Sequence, residues 1–262
     1  MKNAQSSSSV IAVVQARTTS KRLPNKVMSP ILGKPMIIHQ LDRIKRCRHV
    51  DHLIVATSDH DTDDTLTEVC KDFGYNASRG SLHNVVDRIW RALEKIDYGH
   101  LVRLTGDCPL ADPEIIDQVI AEHLERGADY TSNTIVPTFP DGLDVEVLTR
   151  KTFRRIVYGA HKPSHYEHVT SFVSENKNDF FIHQVLSETD LSSLRWTVDE
   201  PIDLELITKI YEELYSREPN FSMHDVLELI QCPSLNMPDN SHITRNEGYA
   251  KSIREERDMV NF

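Results

Sequence analysis

"VIAVVQA" (10–16) is a continuous β-branched run, the pattern of a strand buried on both faces of a parallel sheet. Apolar positions then switch to helical spacing: Met36, Ile37, Leu41 and Ile44 fall on one face of "KPMIIHQLDRIKRC". "HLIVATS" (52–58) reads as a second strand, and "DHDTDDTLTEVCKDFG" as a helix with an acid-rich start that stops at Gly74. Val85, Ile89, Ala92 and Ile96 mark another helix, with Trp90 expected in the core, and "HLVRLTGDCPL" reads as a strand running into a turn. "DPEIIDQVIAEHLERG" carries its own punctuation, with Asp112 as N-cap, Pro113 at the first helical position and Gly127 as stop. "ADYTSN" is a further strand. Strands alternating with helices of this length predict a doubly wound α/β domain with a mostly parallel sheet.

The rhythm changes near residue 134. "FPDGLDVEVL" is extended, a helix covers 149–160, "SHYEHVTSFVSEN" follows, and "FFIHQVL" is a strand. "LRWTVDEPIDLELITKIYEEL" then returns to strand, turn and helix, so a strand near 195 is expected to rejoin the main sheet. The predicted organisation is a disordered tail over 1–9, a domain over 10–215 with a small α+β insertion at about 134–190, and a helical C-terminal extension over 216–262.

Composition narrows the function. A formal net charge of −10 argues against general nucleic-acid binding, which needs clustered Lys and Arg. No apolar run approaches the roughly 18 residues that span a bilayer, and the polar "MKNAQSSSS" lacks the apolar core of a secretory signal. Cys47, Cys70, Cys108 and Cys232 show no CxxC spacing and fit reduced residues of a cytoplasmic protein.

Against that acidic background, "QARTTSKRLPNK" (15–26) places Arg17, Lys21, Arg22 and Lys26 in the loop after the first strand. "TGDCP" (105–109) and "TVDEP" (197–201) also follow predicted strands. In open α/β sheets ligands sit beyond the carboxyl ends of the strands, where the strand order reverses. With order 3-2-1-4, the basic loop and Asp107 face each other across one crevice. Cations opposite isolated aspartates suit a nucleoside triphosphate with a divalent ion. A solvated basic loop and an ordinary TGD turn present the same residues. "ILGKPM" lacks the first glycine of a Walker A loop and no GxGxxG follows strand 1, so a triphosphate would be held in another way.

"AVVQARTTSKRLPNKVM…LGKPMI" resembles the opening of sugar-acid cytidylyltransferases, the ketodeoxyoctonate and acylneuraminate enzymes. It is nearest to the branch named after spore coat polysaccharide biosynthesis protein F. The likeness continues in order through "RGSLHNVVDR", "RLTGDCPLADP", "FPDGLDVEVL", "EHVTSFV", "RWTVDEPIDLELI" and "RNEGYAKSIRE", spanning about 10 to 257. The resemblance implies a Rossmann-like fold of the nucleotide-diphospho-sugar transferase type, often homodimeric, that passes CMP from CTP to a small anionic acceptor and releases pyrophosphate. It implies triphosphate contacts from Arg17, Arg22 and Lys26, with Ala16 beside them. Mg²⁺ would be held by Asp107 and Asp199, although Asp199 could instead cap the helix that begins there. Arg79, Gly80 and Ser81 match a loop that contacts base or ribose, a stretch that also reads as a plain strand-to-helix turn. Asp141, Asp144, Glu146, Glu167 and His168 are candidates for the acceptor pocket, and a lone His is also commonly a hydrogen-bonded helix residue.

The chain departs from the family pattern at two glycines, where it has Thr19 and Asn25, and Asn84 stands where an aspartate is frequent. Asn tolerates the left-handed backbone region, whereas β-branched Thr does so poorly, so Thr19 is expected to weaken or reshape the loop. Two further readings remain at this level: a nucleotidyltransferase for another base or a non-sugar phosphate acceptor, and a binding subunit that has lost the chemistry.

Overall fold

The computed structural model describes residues 8–245 together with Glu247, Arg254 and Glu256. Most of the predicted 1–9 tail, and the helical extension beyond residue 245 apart from those three positions, lie outside the described residues. A seven-stranded sheet organises the chain. Its strands are β1 (Val10–Gln15), β4 (His52–Ser58), β5 (Asn76–Gly80), β6 (His100–Thr105), β7 (Tyr130–Ser132), β8 (Glu146–Thr149) and β9 (Ile182–Gln184). They lie in the order β5-β4-β1-β6-β8-β7-β9. A two-residue hairpin, β2 (Pro30–Ile31) with β3 (Lys34–Pro35), stands apart and turns through Leu32 and Gly33, both at positive φ.

β1 pairs in parallel with β4 on one side and β6 on the other. The reversal therefore falls between β1 and β6, as the 3-2-1-4 order requires. β8 is antiparallel to both β6 and β7, so its first residue, Glu146, lies level with Arg103 toward the end of β6. Residues 134–190 thus supply two strands to the main sheet.

Side chains of β1 alternate between two cores. Ala12 and Val14 pack with α1 (Met36–Ile44), α4 (Pro113–Arg126), α8 (Pro201–Leu214) and α9 (Met223–Ile230). Ile11 and Val13 face α3 (Val85–Leu93), α5 (Arg150–Gly159) and α7 (Ser171–Glu175). Burial on both faces explains the unbroken apolar run of the first strand. α2 (Asp64–Asp72) and α6 (Pro163–His168) complete the helices. Asp112 accepts from the Glu114 amide, Pro113 opens α4, and Gly127 ends it at φ 63°. Trp90 is only half-buried, packing near Phe153 and Tyr158 at the edge of the second core.

The strand expected near 195 does not form. The segment makes a single bridge, Asp141 to Arg195. Its amides and carbonyls are taken by turns: Asp141 N donates to Leu194 O at 2.9 Å, Trp196 N to Asp141 O at 2.6 Å, and Val198 N to Asp107 O at 2.8 Å. Arg195, Trp196, Thr197 and Val198 are all buried, but the segment crosses the ends of other elements instead of lying beside a strand.

Candidate active site

The basic loop is fixed at its start by an acid in the next helix turn. Asp63 is fully buried and accepts from Thr18 N (2.7 Å), Thr18 Oγ1 (2.7 Å) and Ser58 N (3.1 Å), and also from Ser58 Oγ. Burial opposes its ionisation, yet the hydrogen bonds from Ser58 and Thr18 outweigh it and hold the carboxyl below its ordinary range. The "HDTDD" stretch is therefore an anchor for the loop as well as a helix start.

The loop makes its bend at Asn25, whose φ is 63°. Asn25, Leu32 and Val169 are the non-glycine positions with positive φ among the described residues, so Thr19 avoids the region it tolerates poorly. On the facing side, Gly106 lets the TGD turn close onto the first strand: a Cβ there would come within 2.7 Å of Ala16 Cβ and 3.0 Å of Gln15 O.

Lys26 occupies the centre. Only 7% exposed, it donates from Nζ to Asp107 Oδ2 at 2.9 Å, Asp199 Oδ1 at 2.7 Å and Val198 O at 2.7 Å. Burial works against its charge, but the Asp107 and Asp199 carboxylates more than compensate and raise its pKa. Burial likewise opposes ionisation of Asp107. Lys26 and a hydrogen bond from Thr105 prevail, holding Asp107 down to about 2. Arg22 reaches Asp199 Oδ2 at 2.7 Å. Asp199 does not cap α8: Glu200 and Asp203 form that capping box, leaving the Asp199 carboxylate to face the cations.

Arg17 extends the other way, its Nη1 3.4 Å from Leu82 O. Buried Arg88 donates to the same carbonyl at 3.0 Å and to Ser81 O at 3.1 Å, so the basic loop and the 81–84 loop share one anchor. Burial and the neighbouring Arg17 pull the Arg88 pKa down to about 10. Ser81 Oγ accepts from Asn84 N, and Asn84 caps α3 through Asp87 N, a duty that suits asparagine as well as aspartate. Gly80 packs against the α3 backbone at Arg88. Arg79 turns away from this loop: it donates to Ser58 O at 3.0 Å and His60 O at 2.8 Å and pairs with Asp64.

The five acceptor candidates divide into two groups. Asp141 and Asp144 lie under arginines. Arg195 Nη1 meets Asp141 Oδ2 at 3.0 Å, and Arg245 reaches both Asp141 and Asp144. Burial raises Asp144 to about 7; Arg245 counters this, and the charges of Asp141 and Glu146 add to it. Glu146 is bound to Arg103 and accepts from Tyr130 OH at 2.7 Å. His168 lies close enough to feel both, its pKa lowered by burial and by Arg103 against the pull of Glu167 and Glu146. Glu167 is half exposed beside it.

Arg195 is the residue that motif reading passes over. Buried at 6% exposure, it binds Asp203 through two hydrogen bonds of 3.0 and 2.9 Å, Asp199 at 3.2 Å and Asp141 at 3.0 Å. Asn240 donates to Asp203 Oδ1 at 2.8 Å and to the Arg195 carbonyl at 3.0 Å. One guanidinium thus orients the "DGLD" turn and the Asp199 turn together. The sequence hint was the spacing of Asp199 and Asp203 four and eight residues after Arg195. Arg245 and Asp63 carried no such hint.

Asp107 and Asp199 suit a divalent cation. Two carboxylates already converge on one cationic atom, Lys26 Nζ, and Mg²⁺ needs only one or two carboxylates when phosphate oxygens and waters complete its shell. Among the described residues no group of three or more His, Cys, Asp or Glu side chains could hold a metal unaided.

A Rossmann-like sheet with cations and paired aspartates beyond the strand ends at its reversal point suits a nucleotidyltransferase. Residues 11–211 match the family model described as cytidylyltransferase. The chain belongs to the cytidylyltransferase family. It is 31% identical over 229 residues to the spore coat polysaccharide biosynthesis protein SpsF of Bacillus subtilis, covering 84% of this chain and 93% of that protein. It is 37% identical over 133 residues to a 3-deoxy-manno-octulosonate cytidylyltransferase of Zea mays, covering 49% of this chain and 43% of that one. A cytidylyltransferase structure from Leptospira borgpetersenii superposes with a TM-score of 0.82 at 29% identity, over 86% of this chain and 94% of that chain. A CMP:2-keto-3-deoxy-manno-octonic acid synthetase in complex with CTP superposes with a TM-score of 0.62 at 20% identity, over 79% and 100%, a likeness of fold.

Proposed function

We infer that the protein transfers CMP from CTP to a sugar acid or related small anionic acceptor, releasing pyrophosphate, in the synthesis of surface-polysaccharide or glycan precursors. The reading includes Mg²⁺ dependence, a homodimer and a cytoplasmic setting. The observation that carries it is the meeting of Lys26 with Asp107 and Asp199 at the β1–β6 reversal, with Arg17 and Arg22 on the same loop.

An acceptor oxygen attacks the α-phosphorus while the bond to the bridging oxygen of the departing pyrophosphate breaks. Little covalent chemistry falls to the protein, so its residues act by position and charge. Arg17, Arg22 and Lys26 bind the triphosphate and stabilise charge on the leaving group. Asp107 and Asp199 would hold Mg²⁺, which when bound would further neutralise phosphate charge. Arg195 keeps Asp199 aimed at the crevice through the contact at 3.2 Å. Arg195 and Arg245 leave Asp141 and Asp144 partly neutralised, so this side of the crevice tolerates an anionic acceptor.

The test is thermal shift with CTP, UTP, ATP and GTP, each with and without Mg²⁺. A ligand at about 100 times its Kd stabilises the fold by roughly 2.7 kcal/mol. A CTP-selective rise that needs Mg²⁺ supports the reading, and selectivity for another base overturns the donor assignment. Asp199→Asn should lower kcat by about 10²-fold or more, the scale of losing one electrostatic partner of a transition state. Full activity in that variant removes Asp199 from the site.

A further inference from the structure

A half-open hollow of about 90 Å³ lies between α1 and the end of α8, bounded by His39, Arg43, Arg46, Tyr211, Tyr215 and Asn220. None of these residues lines the crevice, and the transferase reading gives them no part.

Arg43 is the anomaly. It is only 4% exposed, and both of its hydrogen bonds end on backbone carbonyls: Nε on Ala111 O and Nη2 on Phe221 O, each at 2.9 Å. Its guanidinium lies 4.4 Å from the centroid of the Phe221 ring. Nη1 finds no acceptor among the described residues, and neither does Nε of Arg46, less than one helical turn further on. Arg46 spends Nη1 on the Asn220 side-chain oxygen.

The acids nearby are already engaged. Asp112 accepts from Glu114 N and Met223 N, and Asp225 is bound into the capping box with Ser222. Asp42, which faces the same hollow, is held by Lys34 at 2.9 Å and by the Tyr75 hydroxyl. Cations near a helix C-terminus are ordinary, because they complement its dipole. Asp112 and Asp225 offset part of the Arg43 charge from a distance, yet the guanidinium ends on carbonyls, has a second beside it, and each of the two leaves a donor unused.

We propose that this hollow is an oxyanion site that takes one phosphate group between Arg43 and Arg46. Guanidinium donors match tetrahedral phosphate oxygens closely. The space admits a tetrahedral anion. The phosphate is either the free ion or the end group of a larger phosphomonoester that projects past Asn220.

Inorganic phosphate is titrated into the full chain in an oxyanion-free buffer and followed by thermal shift, with no nucleotide present. The same titration uses Arg46→Gln, Arg46→Lys and the double variant R17Q/R22Q. The expected result is a shift that survives in R17Q/R22Q, weakens at least tenfold in apparent affinity in R46Q, and returns in R46K. A shift that persists in R46Q, or disappears in R17Q/R22Q, puts the phosphate in the crevice and overturns the proposal. No shift in the unmodified protein at millimolar phosphate overturns it as well. Glycerol 3-phosphate as a second probe separates the sources, since equal binding identifies the phosphoryl end of a metabolite and exclusion identifies the free ion. Each arm is independent of whether CTP is the donor.

Discussion

Asn25 holds a left-handed backbone at the turn that delivers Lys26, and few side chains would do so cheaply. Asn25→Val should cost about 1–2 kcal/mol, while Asn25→Gly should be close to neutral, as measured by urea unfolding. Position 25 was legible because the demand lies in the local backbone. At Thr19 the loop takes the reshaped alternative: positive φ falls at Asn25 and not at Thr19. Asp144 offers a prediction of a different kind. Burial raises its pKa to about 7, so the folded protein keeps a proton that the unfolded chain loses above about 4. Its contribution therefore falls as pH rises from about 4 to about 7 and then levels off. Thermal melts should show that decline in the unmodified protein and a flatter profile for Asp144→Asn over the same window.

At the scale of elements, capping and periodicity could be read in advance, whereas partners across the sheet could not. Asp112, Pro113 and Gly127 bounded α4 because a cap acts within a few residues. The segment at 195 misled because a buried stretch before a helix says nothing of what its backbone pairs with: residues 195–198 are all buried, yet they make a single bridge. Gly142 shows why that backbone sits where it does. At φ 105°, a Cβ there would fall 2.5 Å from Thr197 N, so the "DGLD" turn and the 195–198 segment fit only without a side chain. The link between α4 and β7 also carries a pH response. His123 donates to or accepts from His100 at 3.1 Å and Thr131 at 2.9 Å, and it is fully buried. Burial first, and then His100, lower its pKa to about 4. The unfolded chain protonates this histidine near 6.5, so stability should fall as pH drops from about 6.5 to about 4. His123→Gln should lose that acid sensitivity in melts compared with the unmodified chain.

For the molecule as a whole, the alternating α/β half was legible in the sequence and places the crevice once the order 3-2-1-4 is assumed, whereas the insertion of antiparallel β8 between β6 and β7 was not. Nor was the ion-pair network, because Arg195 and Arg245 could have met any acid brought near them. Removing divalent ions should abolish turnover while leaving the fold intact, since Lys26 already joins Asp107 to Asp199 without them. Circular dichroism before and after EDTA, with activity regained on adding Mg²⁺, checks both halves of that statement. The same lysine has a consequence for how the protein is made. Lys26 meets Asp199 across 173 residues of sequence, whereas β5, β4, β1 and β6 are all synthesised by residue 105. A nascent chain can thus assemble the centre of its sheet well before the carboxylate that completes the crevice has left the ribosome. Substrate recognition is then a property of the finished polypeptide, acquired late in its synthesis.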